Sequence, residues 1–574
     1  MMPLNLALLW LISASIAWTG GGVAQWSQAS HDKLELETQE MASSSAWAEE
    51  EVLVVIAKLY WVFSNPVVVG KAYLVNNPAH ECRMGESYPP TEPCPNDGII
   101  DDIKPTASKF LRLGFHDCLK YEDGSGGCDG CLSFSNMFYR YDEAERMSMP
   151  DVTVTDNNNL AFVADILEEI YTRTDFPLNS PSLRQSLQES GKSRADLWAL
   201  AALTATHFSL VENNKACQGE KDFATAGRCG HLFRHIPTDF PCMIDMNFSM
   251  QFYTGRKDCS SEQRPNETTW YRRRAYEASR HEFHPNPHGN GVETGDFFKD
   301  WFNFTRRETV AIMGAHALGS FHGSVSLFKY DWTKGQSHIL NNQYYRALVK
   351  APSKMSTCGD PPQWTGGPQG SEAPTGWYVR PLRKSVSGGP YLWFHYYLRC
   401  PECRGRKNVE TEGDGFFKSD FCCQQCDTMK VKTIHPGCYR KIAKDETALN
   451  SDLGLYLLFE TGKGGIPLGC KGLSTKKQKW TAHNIMNGRK GLDFYKAEPR
   501  CNKQKLGDGK GTLKMYQLVE RYSENQEAWM DDFIPALQKM LANGYKMKKL
   551  TASFDFNGLN CNHNYWGFKC TKSN

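Results

Sequence analysis

Two short strings carry residues that could do chemistry together. In the first, Leu111-Arg-Leu-Gly-Phe-His-Asp-Cys118, Arg112 and His116 stand four apart, so on a helix they share one face. A neutral imidazole beside a guanidinium can move a proton and steady a developing negative charge. In isolation such a pair is more often structural. In the second, Thr309-Val-Ala-Ile-Met-Gly-Ala-His-Ala-Leu-Gly-Ser320, His316 sits in an apolar stretch between Gly314 and Gly319. Most histidines on apolar faces are satisfied core residues. Small residues on both sides would let a flat ligand approach the backbone, and a neutral histidine with one free nitrogen is the usual axial ligand of haem iron.

Elements able to position these residues follow from apolar spacing at i, i+3, i+4 and i+7. The spacing predicts helices over 103–119, 159–171, 193–206 and 306–319, and one long amphipathic helix over 516–543. Strand-like alternation is scarce, so the expected core is mostly α. Between 346 and 440 the chain is rich in Gly, Pro and aromatics, and it holds Cys358, Cys400, Cys403, Cys422, Cys423, Cys426 and Cys438. That stretch reads as an inserted, disulfide-stapled module; the Cys400-Pro-Glu-Cys403 spacing also suits zinc. A second loop-like insertion spans 462–510.

Together the strings resemble the plant-type haem peroxidase superfamily, whose signatures R-x-x-F/W-H and G-x-H-x-x-G occur here in order. Further similarities are Ser193-Arg-Ala-Asp-Leu-Trp-Ala-Leu200, the turn Gly255-Arg-Lys-Asp258, the proline segment Phe283-His-Pro-Asn-Pro287, and Leu449-Asn-Ser-Asp452. The resemblance implies a two-lobed helical fold with haem b between the lobes, plus the cysteine-rich insertion. It implies that His116 exchanges protons with hydrogen peroxide, that Arg112 stabilises charge as the O–O bond breaks, and that a ferryl haem then oxidises a small donor such as a phenol. Asn157 is the residue chosen to orient His116, with Asn158 and Asn159 adjacent to it and a polar helix cap as the plainer reading. His316 would ligate the iron, Asp452 would accept its other N–H, and Phe115 would pack on the haem or simply in the core. Trp332 lies sixteen residues after His316 (332 − 316 = 16), as in cytochrome c and ascorbate peroxidases; redox and packing roles both remain open for it.

The resemblance also implies calcium at Asp117, Gly127 and Asp129, although Cys131 stands where the family has Ser. A Cys118–Cys128 bridge is implied as well, with Cys131 as a rival partner, and Arg256 would pair with Asp196.

Composition bounds the rest. The chain has 574 residues and net charge +2, which offers no bulk attraction to nucleic acid. Twenty cysteines, all from Cys82 onward, suit an oxidising compartment. Residues 1–30 carry no charge, and 1–24 reads as a signal peptide, with the missing basic start leaving an uncleaved anchor open. The sequons at Asn247, Asn266 and Asn303 agree with secretion. No membrane span is expected: the apolar run 52–74 is interrupted by Lys58, Asn65, Pro66 and Lys71, and 25–80 reads as an extension or linker. The remaining expectations are a core over 81–345, its continuation over 441–550 and a tail over 551–574. A peroxidase-fold matrix or binding protein is the competing reading; complete distal and proximal sets argue against it.

Overall fold

The structure, a computed structural model, describes residues 46–70, 104–132, 157, 160–225, 243–259, 284–321, 330–349, 447–461 and 503–573 apart from a few isolated positions, with the backbone of short strands between them. The expected signal peptide, the cysteines of 346–440 and most of the 462–510 insertion lie outside the described residues.

The fold is mostly α. In chain order the helices are α1 (Glu49–Ser64), α2 (Ala107–Asp117), α3 (Ala161–Thr172), α4 (Arg194–Thr225), α5 (Gly291–Phe302), α6 (Arg306–Met313), α7 (Gln343–Val349), α8 (Asn450–Leu453), α9 (Met515–Glu524) and α10 (Gln526–Met540). The strands used below are β1 (Gln251–Thr254), β2 (Trp377–Pro381), β3 (Tyr391–Arg399), β4 (Arg440–Ala448), β5 (Tyr495–Lys496), β6 (Thr551–Asp555), β7 (Leu559–Asn564) and β8 (Gly567–Lys572).

Helix α4 is the spine. Its run of alanines, including Ala199, Ala201, Ala202 and Ala205, is buried, so neighbours can come close. Helix α2 does so at Gly114, where an added Cβ would stand 2.6 Å from the Ala202 side chain. The absent side chain thus seats the segment between Arg112 and His116 tightly on the spine.

The segment expected as an extension or linker proves to be core. Helix α1 buries Val52, Val55, Ile56, Leu59 and Val62 completely. Lys58, read as an interruption of an apolar run, is buried because its ammonium finds partners. It donates to the Thr174 carbonyl at 3.0 Å, the Phe176 carbonyl at 2.5 Å and Ser180 Oγ at 3.5 Å. Tyr60 and His207 Nδ1 share a buried hydrogen bond of 2.6 Å, which pins α1 to α4. The expected tail is likewise structured. Strand β6 pairs antiparallel with β1, and β7 and β8 form a hairpin stapled by Cys561–Cys570. Phe568 of that hairpin packs on Tyr60, with ring centroids 5.6 Å apart. Both corrections have one cause: apolar faces separated by some 500 positions cover each other, and neither face alone reveals its partner.

Two other boundaries move. The long C-terminal helix is two, because Asn525 leaves the helical conformation (φ −132°, ψ 105°) and its side chain caps α10 by accepting from the Ala528 N–H. Strand β4 begins at the expected domain boundary at 440 and pairs with β3 in a sheet ordered β5-β2-β3-β4, so the segments on either side of that boundary share one sheet. Among the described residues, no helix is long and apolar enough to cross a membrane.

Candidate active site

His116 lies on the last turn of α2, and its neighbours define its state. Its Nδ1 lies 2.7 Å from Asn157 Oδ1. An amide oxygen can only accept, so Nδ1 carries the proton and Nε2 is left basic. That Nε2 has no protein hydrogen-bond partner among the described residues. Burial, then the Arg112 guanidinium and then His284 hold the imidazole well below the ordinary histidine range, against the opposing pull of the Asn157 bond. A group so placed is neutral at neutral pH and ready to take a proton. Phe115 stacks on Phe302 at 5.9 Å and lies beside Phe298, so its edge belongs to an aromatic cluster on α5.

His284 was not singled out for a role in the sequence. Its ring stands 4.9 Å from that of His116. The only signal was its place within the proline segment, which says nothing of contact with His116.

His316 does not sit in an α-helix. Helix α6 ends at Met313 and tightens into a 3-10 turn over Gly314–Ala317. Such a change of pitch frees carbonyls, and two side chains take them up: Tyr345 donates to the Val310 and Ala311 carbonyls at 2.6 and 2.9 Å, and Trp529 Nε1 to Ala311 at 3.0 Å. Gly314 serves this packing. An added Cβ there would meet Tyr345 Oη at 2.5 Å and Trp529 Nε1 at 2.7 Å, so its small size admits protein atoms, not a flat ligand. Gly319 has φ +99° and closes on Ser108, the second residue of α2. The His316 turn therefore abuts the start of the helix that carries His116; eight residues of rise, roughly 12 Å, separate Ser108 from His116 along that helix.

The His316 Nδ1 lies 2.7 Å from Asp452 Oδ1, and Asp452 is fully buried on α8. The remaining nitrogen, Nε2, has no protein partner among the described residues, and about a third of the side chain, 32%, is exposed. Trp332 stacks on the imidazole, centroids 4.0 Å apart and planes 11° from parallel. Thr333 Oγ1 donates to the Ala317 carbonyl at 3.1 Å, which holds that tryptophan loop against the turn. Sequence reasoning missed Tyr344, whose hydroxyl donates to Asp452 Oδ1 at 2.8 Å. Burial and the Asp452 carboxylate hold this phenol well above the usual tyrosine range, so it stays a donor.

Next to His116, Asp117 Oδ1 and Asp129 Oδ1 both accept from the Cys131 N–H, at 3.0 and 3.2 Å. Burial, then the Asp129 charge, push the Asp117 carboxyl well up. Gly127 has φ +119° and faces the Asn543 carbonyl, 2.6 Å from where a Cβ would be, which fixes the loop between the two aspartates. Cys118 bonds to Cys128, and Cys131, the rival partner, bonds instead to Cys259. Behind the site Arg256 pairs with buried Asp196 at 2.9 Å and donates to the Leu541 carbonyl, fastening α10 to α4.

A family model described as Peroxidase matches residues 98–461, over half of the chain. The chain belongs to the haem peroxidase superfamily. No curated protein matches it. The matched range contains Arg112, His116, Asn157, His316, Trp332 and Asp452, and its bounds enclose the cysteine-rich stretch. The peroxidase's two termini, α1 and β6 to β8, lie outside it. As a peroxidase the chain is an oxidoreductase that takes peroxide and an electron donor.

The residues of this peroxidase fit a haem. Two imidazoles each have one nitrogen held by a buried oxygen and, among the described residues, no protein hydrogen bond to the other. A partly exposed His316, Arg112 and Phe115 stand among neighbours that are otherwise buried. A neutral imidazole whose other nitrogen is held in this way offers its remaining lone pair to a metal or to a proton.

Proposed function

We propose that this peroxidase is a secreted enzyme that holds haem b through His316 Nε2 and reduces hydrogen peroxide with His116 and Arg112. The observation that carries this reading is the paired histidine arrangement: Asn157 fixes His116 Nδ1 and Asp452 fixes His316 Nδ1, each at 2.7 Å, and neither Nε2 has a protein hydrogen bond among the described residues.

When bound, haem supplies the electrons that cleave the O–O bond. The protein supplies the proton traffic. His116 Nε2 takes the proton from the near oxygen of peroxide and returns it to the leaving one as water forms. The Arg112 guanidinium stabilises the negative charge that grows on the leaving oxygen. Asp452 draws on the Nδ1 proton of His316, strengthening Nε2 as a donor to iron. Phe115 and Trp332 are the aromatic walls. A small, phenolic donor fits the secretory-like set of Arg112, Phe115 and His116, in which Phe115 would pack against a bound haem.

Calcium belongs to the same proposal. Asp117 and Asp129 are close carboxylates whose repulsion a hard cation relieves, and the loop shaped by Gly127 would contribute a carbonyl. Secretion is supported by the bridges Cys118–Cys128, Cys131–Cys259 and Cys561–Cys570 and by exposure of sequon residues Asn247 and Asn303.

The test is the absorbance spectrum of the purified protein before and after peroxide. A Soret band that changes on addition is the expected result. His116→Ala slows that change by orders of magnitude and keeps the haem; His316→Ala weakens iron ligation. A purified protein with no Soret band, or an unchanged rate in His116→Ala, overturns the proposal.

A further inference from the structure

One oxygen of Asp452 serves two masters. Oδ1 accepts from His316 Nδ1 at 2.7 Å and from the Tyr344 hydroxyl at 2.8 Å, while Oδ2 accepts from the Leu449 N–H at 2.7 Å. Asp452 and Tyr344 are both buried, so water does not dilute these bonds. Donors to a carboxylate share out its charge, and each added donor lowers its appetite for the others.

The local build makes this sharing rigid. Tyr344 and Tyr345 are neighbours on α7, and Tyr345 grips the last carbonyls of α6, the helix that leads into the His316 turn. The Tyr344 ring meets the His316 ring edge-on, with centroids 6.0 Å apart and planes 83° apart. Position and hydrogen bonding of the histidine thus both run through α7.

We propose that Tyr344 is a positioning residue that limits how strongly Asp452 draws the Nδ1 proton of His316, and thereby sets the donor strength of His316 Nε2 toward a bound iron. This inference rests on the haem reading above. Tyr344→Phe removes the competing donor and leaves the ring. Asp452 then pulls harder on His316, the imidazole gains anionic character, and the ferric state is favoured.

Two measurements on the haem-loaded protein test it. The iron–histidine stretching band of the ferrous form, by resonance Raman, should move to higher frequency in Tyr344→Phe. The ferric-to-ferrous midpoint potential should fall by about 59 mV, the one-electron equivalent of a tenfold shift. Tyr345→Phe is the control: it deletes an equally buried hydroxyl that donates to the Val310 and Ala311 carbonyls rather than to Asp452, and both quantities should move less than in Tyr344→Phe. A fluorotyrosine at position 344, a stronger donor of nearly the same shape, should shift both quantities in the opposite direction, and it serves if the phenylalanine variant fails to fold. If the wild type shows no iron–histidine band, the haem reading falls and this inference with it. If the wild-type band is present but unmoved by either change at 344, or moves equally in Tyr345→Phe, this inference alone is overturned.

Discussion

Asn157 Oδ1 stands 2.7 Å from His116 Nδ1, across a separation of 41 positions in the chain. The bond fixes the tautomer on which His116 depends to accept a proton. Asn157→Ala is expected to slow the reaction with peroxide by about 10- to 100-fold while the resting spectrum is kept. Stopped-flow absorbance at the Soret maximum measures it, and an unchanged rate removes Asn157 from the proposed machinery.

The pH profile follows from the depressed His116 imidazole. Because burial and Arg112 lower it, the base form persists well below the ordinary histidine pKa of about 6.5. The rate of peroxide reduction should stay flat as pH falls through that value and decline only under more acidic conditions. Arg112→Leu removes one lowering influence, so its acid limb should move up in pH, beside a drop in maximal rate. A wild-type limb centred near 6.5 contradicts this account.

Lys58 predicts a stability effect through partners that are not in the proposed catalytic set. Burial lowers its pKa to about 8 from 10.5. Between those values the unfolded chain binds more protons than the folded one, so stability rises with pH across that window. Lys58→Ala should lose this slope. At neutral pH it should also cost about 1–3 kcal/mol, as the Thr174 and Phe176 carbonyls lose their donor. Denaturant unfolding at pH 7 and pH 10 checks both; a parallel pH dependence in the two proteins refutes the assignment.

Calcium should stabilise the folded protein through Asp117 and Asp129. With calcium at a hundred times its dissociation constant the gain is about 2.7 kcal/mol, read as a rise in melting temperature that chelator reverses. Asp117→Asn should abolish the calcium response and should not destabilise the calcium-free protein, since it relieves carboxylate repulsion. A full calcium response in Asp117→Asn places the ion elsewhere.

Much of this protein was legible in local pattern. Residue type and short-range spacing mark Arg112 and His116 as one helical face, His316 between two glycines, and the buried faces of α2, α3 and α4, because helical period is a property of neighbours in the chain. Such pattern did not disclose that Asn525 breaks the C-terminal helix, that α6 tightens before His316, or that Gly314 is small for the sake of Tyr345 and Trp529; each depends on what packs against it. The same holds at larger scale. Lys58 looks like an interruption until the Thr174 and Phe176 carbonyls are brought to it, and the strands after Thr551 look like a tail until they meet β1 and α1. Tyr344 is one tyrosine among 24 in the sequence. Only folding across 108 positions puts its hydroxyl on the oxygen that holds His316, since a hydrogen bond is a matter of ångströms and local sequence pattern carries no distance between remote segments.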